Sequence, residues 1–136
     1  MTTQQKSSKT INILLWIAQT LLAVSFIWTA MLKLFQPIEQ LSAMWPWTGQ
    51  VSVAFLKFTG VIDLLSGIGI ILPALLRIKP VLTPVTAIGI IILMISAGIF
   101  HISRGEASVI GVNIVFAIIA AFIAWGRFLK APISQK

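Results

Sequence analysis

Lys33, Asp63, His101 and Asn113 are the residues of this chain whose types could do chemistry in otherwise apolar surroundings. An ammonium, a carboxylate, an imidazole and a carboxamide can pair, pass a proton, or hold the polar end of a ligand. Each falls in a different long apolar stretch. A polar residue inside a membrane-spanning helix is costly, so it faces the bundle interior and often marks function. Residues three and four apart share a helix face, and on that face the neighbours are small. Thr29 and Ala30 lie behind Lys33, and Thr59, Gly60, Ser66 and Gly67 surround Asp63. Ala97 and Gly98 precede His101, while Ala117 and Ala121 follow Asn113. Small residues let helices approach closely in lipid. The four polar groups are therefore expected to converge inside one bundle, in its outer half.

Asp63 is the sharpest of them. By helical rise it lies roughly 15 Å past Val53, near the middle of a membrane. A lone carboxylate there needs a proton or a partner, and Lys33, His101 and Arg104 are the cations within reach. Two readings stay open: an ion pair that locks the helices, or a ligand or proton site. His101 alone reads as a hydrogen-bonded helix-end residue, and Asn113 as helix–helix glue or a ligand contact. Four further residues are secondary. Lys57, about 120° from Asp63 on the helical wheel, is expected to snorkel to the outer surface. Arg104 and Glu106 should pair with each other or with solvent. Trp28, inside the first span, either packs or lines a cavity.

Composition sets what else is excluded. Of 136 residues, 58% are hydrophobic and only 10% charged, with a mean hydropathy of +1.02. Soluble domains carry about a quarter charged residues, so this chain needs lipid around it. Without cysteine it has no disulfide, no thiol nucleophile, and no Cys-ligated zinc or iron–sulfur site. With one histidine, a single chain cannot hold a haem between two imidazoles. No metal site is expected. Any quinone or other cofactor would be a bound guest, and its identity is not readable. The net charge of +7 is scattered between apolar stretches, which speaks for membrane topology and against nucleic acid.

The elements that must carry these residues follow from hydropathy. Residues 1–10 are polar and expected as a mobile tail. Four helical spans are expected over about 11–34, 53–72, 81–102 and 109–126, the second ended by Pro73, with a basic tail over 129–136. Helices of about 20 residues cross a bilayer, and the alternative, a closed barrel, does not fit strands of this length. The first stretch exceeds the apolar core of a signal peptide, about 7–15 residues, and reads as an anchor. Residues 35–50 form a loop with Pro37, Pro46 and Gly49 as breakers, carrying Trp45 and Trp47 at the interface. Gly67-Ile68-Gly69 is mid-span and no nucleotide loop. The fold class is thus all-α, an integral membrane four-helix bundle. Lys6, Lys9, Arg77, Lys79, Arg127, Lys130 and Lys136 fall on one side without an acid. Lys33, Lys57 and Arg104 share the other side with Glu39, Asp63 and Glu106. By the positive-inside rule, both termini are cytoplasmic, and the expected location is the inner (cytoplasmic) membrane.

KFTGVIDLLSGIGIILP (Lys57–Pro73) resembles the second helix of DoxX-like membrane proteins, with a glycine, two residues, an acid, small residues and a proline end. IGIIILMISAGIFHISRGE (Ile88–Glu106) is similar to the family's small-residue run that ends in histidine and a polar turn. TAMLKL (Thr29–Leu34) and AFIAWGR (Ala121–Arg127) resemble the ends of its first and fourth helices. The acid here is Asp63, where the family more often has glutamate. The resemblance implies a four-helix bundle, and one namesake is a subunit of a thiosulfate:quinone oxidoreductase. The leading expectation is an accessory subunit of a redox or quinone-linked membrane system that binds a hydrophobic ligand in the polar pocket. Such a subunit has the bilayer and a membrane redox protein as partners, and no activity alone. A non-enzymatic structural or chaperone-like membrane protein is the alternative. A proton or small-solute transporter ranks below both, because four helices without repeated halves would need a homo-oligomer.

Overall fold

The apolar stretches become helices because lipid offers their backbones no other hydrogen-bond partners. The computed structural model describes residues 3–136, with side-chain surroundings from Lys9 onward. Helix α1 spans Thr3–Phe35, α2 Ile38–Met44, α3 Val53–Leu76, α4 Leu82–Ser103 and α5 Gly111–Trp125. Short 3-10 turns occupy Pro46–Gly49 and Ala107–Val109, and a π-helical turn, Gly126–Lys130, follows α5. No strand occurs among the described residues. Helices α1, α3, α4 and α5, the last with its π turn, are long and apolar enough to cross a membrane. Helix α1 packs mainly on α3 and α4 mainly on α5; contacts of α3 with α4 and α1 with α5 close the ring. The core where they meet includes Leu15, Leu22, Phe26, Ile70, Ile90 and Ile123. Outward faces stay apolar, as at Ile17, Leu65, Ile92 and Ile118, which is the surface hydrocarbon requires.

Several boundaries differ from the sequence expectation. Residues 3–10, expected as a tail, continue α1; Met1 and Thr2 lie outside the described residues. Once the apolar span has nucleated the helix, each added residue gains a bond at little cost, and this segment has no proline or glycine to stop it. Pro73 does not end the second span but sits inside α3, which runs on to Leu76. A proline lacks the N–H that would bond the carbonyl four residues back, here that of Gly69. The Thr83 hydroxyl, from α4, makes a long 3.5 Å contact to that oxygen. Arg77, in the left-handed region at φ 58°, ends α3 with its N–H on the Pro73 carbonyl. The 35–50 loop contains α2, and the C-terminal segment is helical through Lys130. Its last residues lie against the α3–α4 turn: Arg77 Nε donates to the Ser134 carbonyl at 3.0 Å, and the Lys136 N–H to the Arg77 carbonyl at 2.8 Å. The start of α1, the C-terminal segment and this turn therefore share one end of the bundle, here named the terminal end; α2 and the α4–α5 connection form the distal end.

Close approach of α1 and α3 depends on Gly67. A Cβ there would lie 2.6 Å from Ile27 Cγ1 and 3.1 Å from the Ala23 carbonyl oxygen. A backbone oxygen cannot swing aside as a side chain can. Gly67→Val is therefore expected to destabilise the protein by about 1–3 kcal/mol through overpacking, read as a lower thermal midpoint in detergent. An unchanged midpoint would contradict this close packing.

Candidate functional site

The distal half of the bundle holds an open-sided cavity of about 810 Å³. Lys33 reaches it from the last turns of α1, Asp63 from the middle of α3, His101 from the end of α4 and Asn113 from the start of α5. All four residues singled out by type and spacing thus line one space. Its walls are otherwise mostly apolar and aromatic, with Phe26, Phe58, Phe100 and Phe116 from the four long helices, and Glu106 and a few hydroxyls among them. Trp45 and Trp47, at the junction of α2 and the following 3-10 turn, add the side facing the distal end. The Trp47 ring stands edge-on to Phe100 at 5.8 Å and to His101 at 6.4 Å between centroids.

Two groups of charges border the cavity. Lys33 Nζ lies 2.8 Å from Asp63 Oδ2, both nearly buried, which joins α1 to α3. The same ammonium sits 5.2 Å from the centre of the Trp47 ring, a cation–π contact. Of the three cations within reach of Asp63, the fold therefore selects Lys33. His101 and Arg104 turn to Glu106 instead. His101 Nδ1 is 3.3 Å and Arg104 Nε 2.9 Å from Glu106 Oε1, and Arg104 also donates to the Gln50 side chain. The Arg104 hydrogen bond, then that from His101, holds the Glu106 carboxyl below the usual glutamate range. Asn113 differs from these. Its amide nitrogen Nδ2 is buried and makes no hydrogen bond.

Two secondary residues differ from expectation. Lys57, half-buried, folds onto the end of α1, donating to the carbonyls of Leu34 at 2.6 Å and Lys33 at 3.3 Å. It thereby satisfies carbonyls that a helix end leaves open. Trp28 does not line the cavity; it is 66% exposed and faces outward. Among the described residues, no three His, Cys, Asp or Glu side chains gather as a metal site would require.

The sequence reading missed a second polar cluster, at the terminal end. Arg127 is 4% exposed, and Gln19 is fully buried beside it. Arg127 Nε donates to Gln19 Oε1 at 2.7 Å, and Nη1 to Asn12 Oδ1 at 2.7 Å and the Ala131 carbonyl at 2.8 Å. Gln19 Nε2 in turn donates to the Ile70 carbonyl at 2.9 Å. The signal was present: Asn12, Trp16 and Gln19 are spaced four and three apart, one face of α1, and Arg127 lies 5.2 Å from the Trp16 ring.

A family model described as the DoxX-like family matches residues 17–123. The chain belongs to the DoxX-like family. It is a multi-pass membrane protein, with four apolar helices. No match exists among curated proteins or solved structures. The DoxX-like match takes in Lys33, Asp63, His101 and Asn113, and it stops short of Arg127.

In this DoxX-like protein the Lys33–Asp63 pair should behave as a unit. Asp63→Asn leaves a buried ammonium without its counter-charge, which costs roughly 3–5 kcal/mol when a buried pair is broken. Lys33→Met combined with Asp63→Leu removes both charges and is expected to recover most of that loss. Denaturant unfolding of the two single variants and the double variant in bicelles measures the coupling. A double variant no more stable than Asp63→Asn would show that the pairing does not connect these residues.

Proposed function

We propose that the distal cavity binds an amphipathic, largely apolar small molecule, and that the protein serves as an accessory subunit of a redox or quinone-linked membrane system. The observation that carries the proposal is the buried, unpartnered Asn113 amide within an aromatic cavity of about 810 Å³. Ligand sites typically measure about 300–1,000 Å³, with apolar walls and a few convergent polar groups. A buried donor without an acceptor costs about 1–3 kcal/mol, which a ligand carbonyl would offset. A flat ring bearing carbonyl oxygens suits both the donor and the edges of Trp47 and Phe100. The chain has no thiol, so the electrons would move between a guest such as a quinone and a partner protein.

The Lys33–Asp63 pair favours a second reading, in which the polar residues only hold the helices together. Gently extracted protein separates the two when its bound small molecules are identified by native mass spectrometry. The ligand reading expects a quinone or lipid at about one per chain. Asn113→Leu, which leaves both ion-pair groups intact, should weaken retention about tenfold, equivalent to one lost hydrogen bond of 1.4 kcal/mol. Wild-type protein that carries nothing stoichiometric would sink the ligand reading and leave the structural one.

The orientation that goes with this function places the termini in the cytoplasm and the cavity toward the outer face of the inner membrane. The support is the basic, acid-free terminal end. Because the chain has no cysteine, single introduced thiols report topology cleanly. Ser108→Cys should react with a membrane-impermeant maleimide in intact spheroplasts, and Ser134→Cys only after permeabilisation. The reverse pattern would invert the assignment.

A further inference from the structure

The terminal end holds a second cavity, of about 330 Å³, apart from the site proposed above. Its lining includes Lys79, Pro80 and Val81 from the α3–α4 turn, Arg127 from the π turn after α5, and Pro132 and Ile133 from the C-terminal segment. Side-chain charge here is entirely of one sign. The three acidic side chains of the sequence, Glu39, Asp63 and Glu106, belong to α2, the middle of α3 and the distal loop. Among the described residues no carboxylate lies within 4.0 Å of Arg127.

Arg127 is therefore a guanidinium almost wholly removed from water, held by neutral oxygens from Asn12, Gln19 and Ala131 and by the face of the Trp16 ring, with no anion beside it. Its Nη2 is buried and has no partner at all. Two dipolar side chains on α1 fix the orientation of the fork, yet nothing neutralises its charge. A buried ion without a counter-ion is among the costliest arrangements a fold can hold. The cavity also meets the start of α4, a helix of 22 residues whose N-cap makes no side-chain bond. The Leu82 and Thr83 N–H groups turn back onto the Lys79 and Pro80 carbonyls. What α4 contributes is then the positive end of its dipole, rather than free donors. The Lys79 side chain makes no hydrogen bond or ion pair among the described residues, so its ammonium remains for a ligand.

We infer that this terminal-end cavity binds a phosphate group, with Lys79 and the uncompensated Arg127 as its cations and the start of α4 as its dipole. A guanidinium fork beside an ammonium suits a tetrahedral anion that accepts several bonds. The phosphate has two sources, an anionic lipid headgroup in the adjoining leaflet or a soluble phosphate, and one experiment distinguishes them. The full chain is reconstituted in nanodiscs of zwitterionic phosphatidylcholine. One arm titrates inorganic phosphate against chloride at equal ionic strength; the other introduces phosphatidylglycerol into the disc. Thermal midpoints and adducts in native mass spectra are read in both.

The wild-type chain should gain stability and a one-to-one adduct in at least one arm: phosphate alone identifies a soluble ligand, phosphatidylglycerol alone a headgroup. Lys79→Gln should weaken that binding about tenfold or more, as loss of one charged contact implies. Arg127→Gln should do so too, but it also breaks bonds to α1 and risks the fold; the Lys79 variant then decides alone. No stabilisation of the wild type in either arm overturns the proposal. So does binding that Lys79→Gln leaves unchanged, because the anion would then sit elsewhere.

Discussion

Hydrocarbon supplies no hydrogen bonds, so a polar group that this chain takes into the membrane is costly unless it finds a partner within the bundle. That requirement organises the structure from end to end. Carbonyls left open by the end of α1 are met by Lys57 from α3, and Thr83 contacts the one freed by Pro73. Gln19 meets the Ile70 carbonyl, and Arg127 meets Gln19. In each case the partner comes from another helix. The bundle is thus held less by apolar contact, which lipid offers equally well, than by these cross-helix bonds and by close approach at glycines such as Gly67.

The two ends solve the same problem differently. At the distal end, charges are matched: Lys33 with Asp63, and Arg104 with Glu106. The cavity between them is electrically balanced and lined by rings, surroundings suited to a neutral guest with a polar edge. At the terminal end, side-chain charges are unmatched and of one sign, with Arg127 held by neutral oxygens and the Trp16 ring. One molecule thereby has a neutral, aromatic space near one face of the membrane and a cationic one near the other.

How much of this was legible in the sequence depended on whether the information was local. The convergence of Lys33, Asp63, His101 and Asn113 could be read, because each residue has small neighbours on its own face and lipid leaves one place for such a face. The four spans and their order could be read from hydropathy. Pro73 misled, since proline ends a helix only when nothing meets the carbonyls it frees, and Thr83 lies on the next helix. Trp28 sits in the first span beside residues that do line the cavity, but a single turn of the wheel sends it to lipid. Arg127 was grouped with the topology-setting charges because it follows an apolar run. Only the fold brings α1 beside it, although the spacing of Asn12, Trp16 and Gln19 marked a polar face to be accounted for.

The Arg127–Gln19 bond joins residues 108 apart, and that separation has a bearing on synthesis. Helix α1 leaves the ribosome before any partner of the Gln19 side chain has been made. Its first partner, the Ile70 carbonyl, arrives 51 residues later with the second span. The guanidinium follows last, carried by a helix that cannot close the ring until α3 and α4 are in place. During that interval a half-built chain displays an open amide on the flank of its first helix. The sequence of insertion is thereby written into the polar contacts, and the last helix acts as the keystone of the bundle.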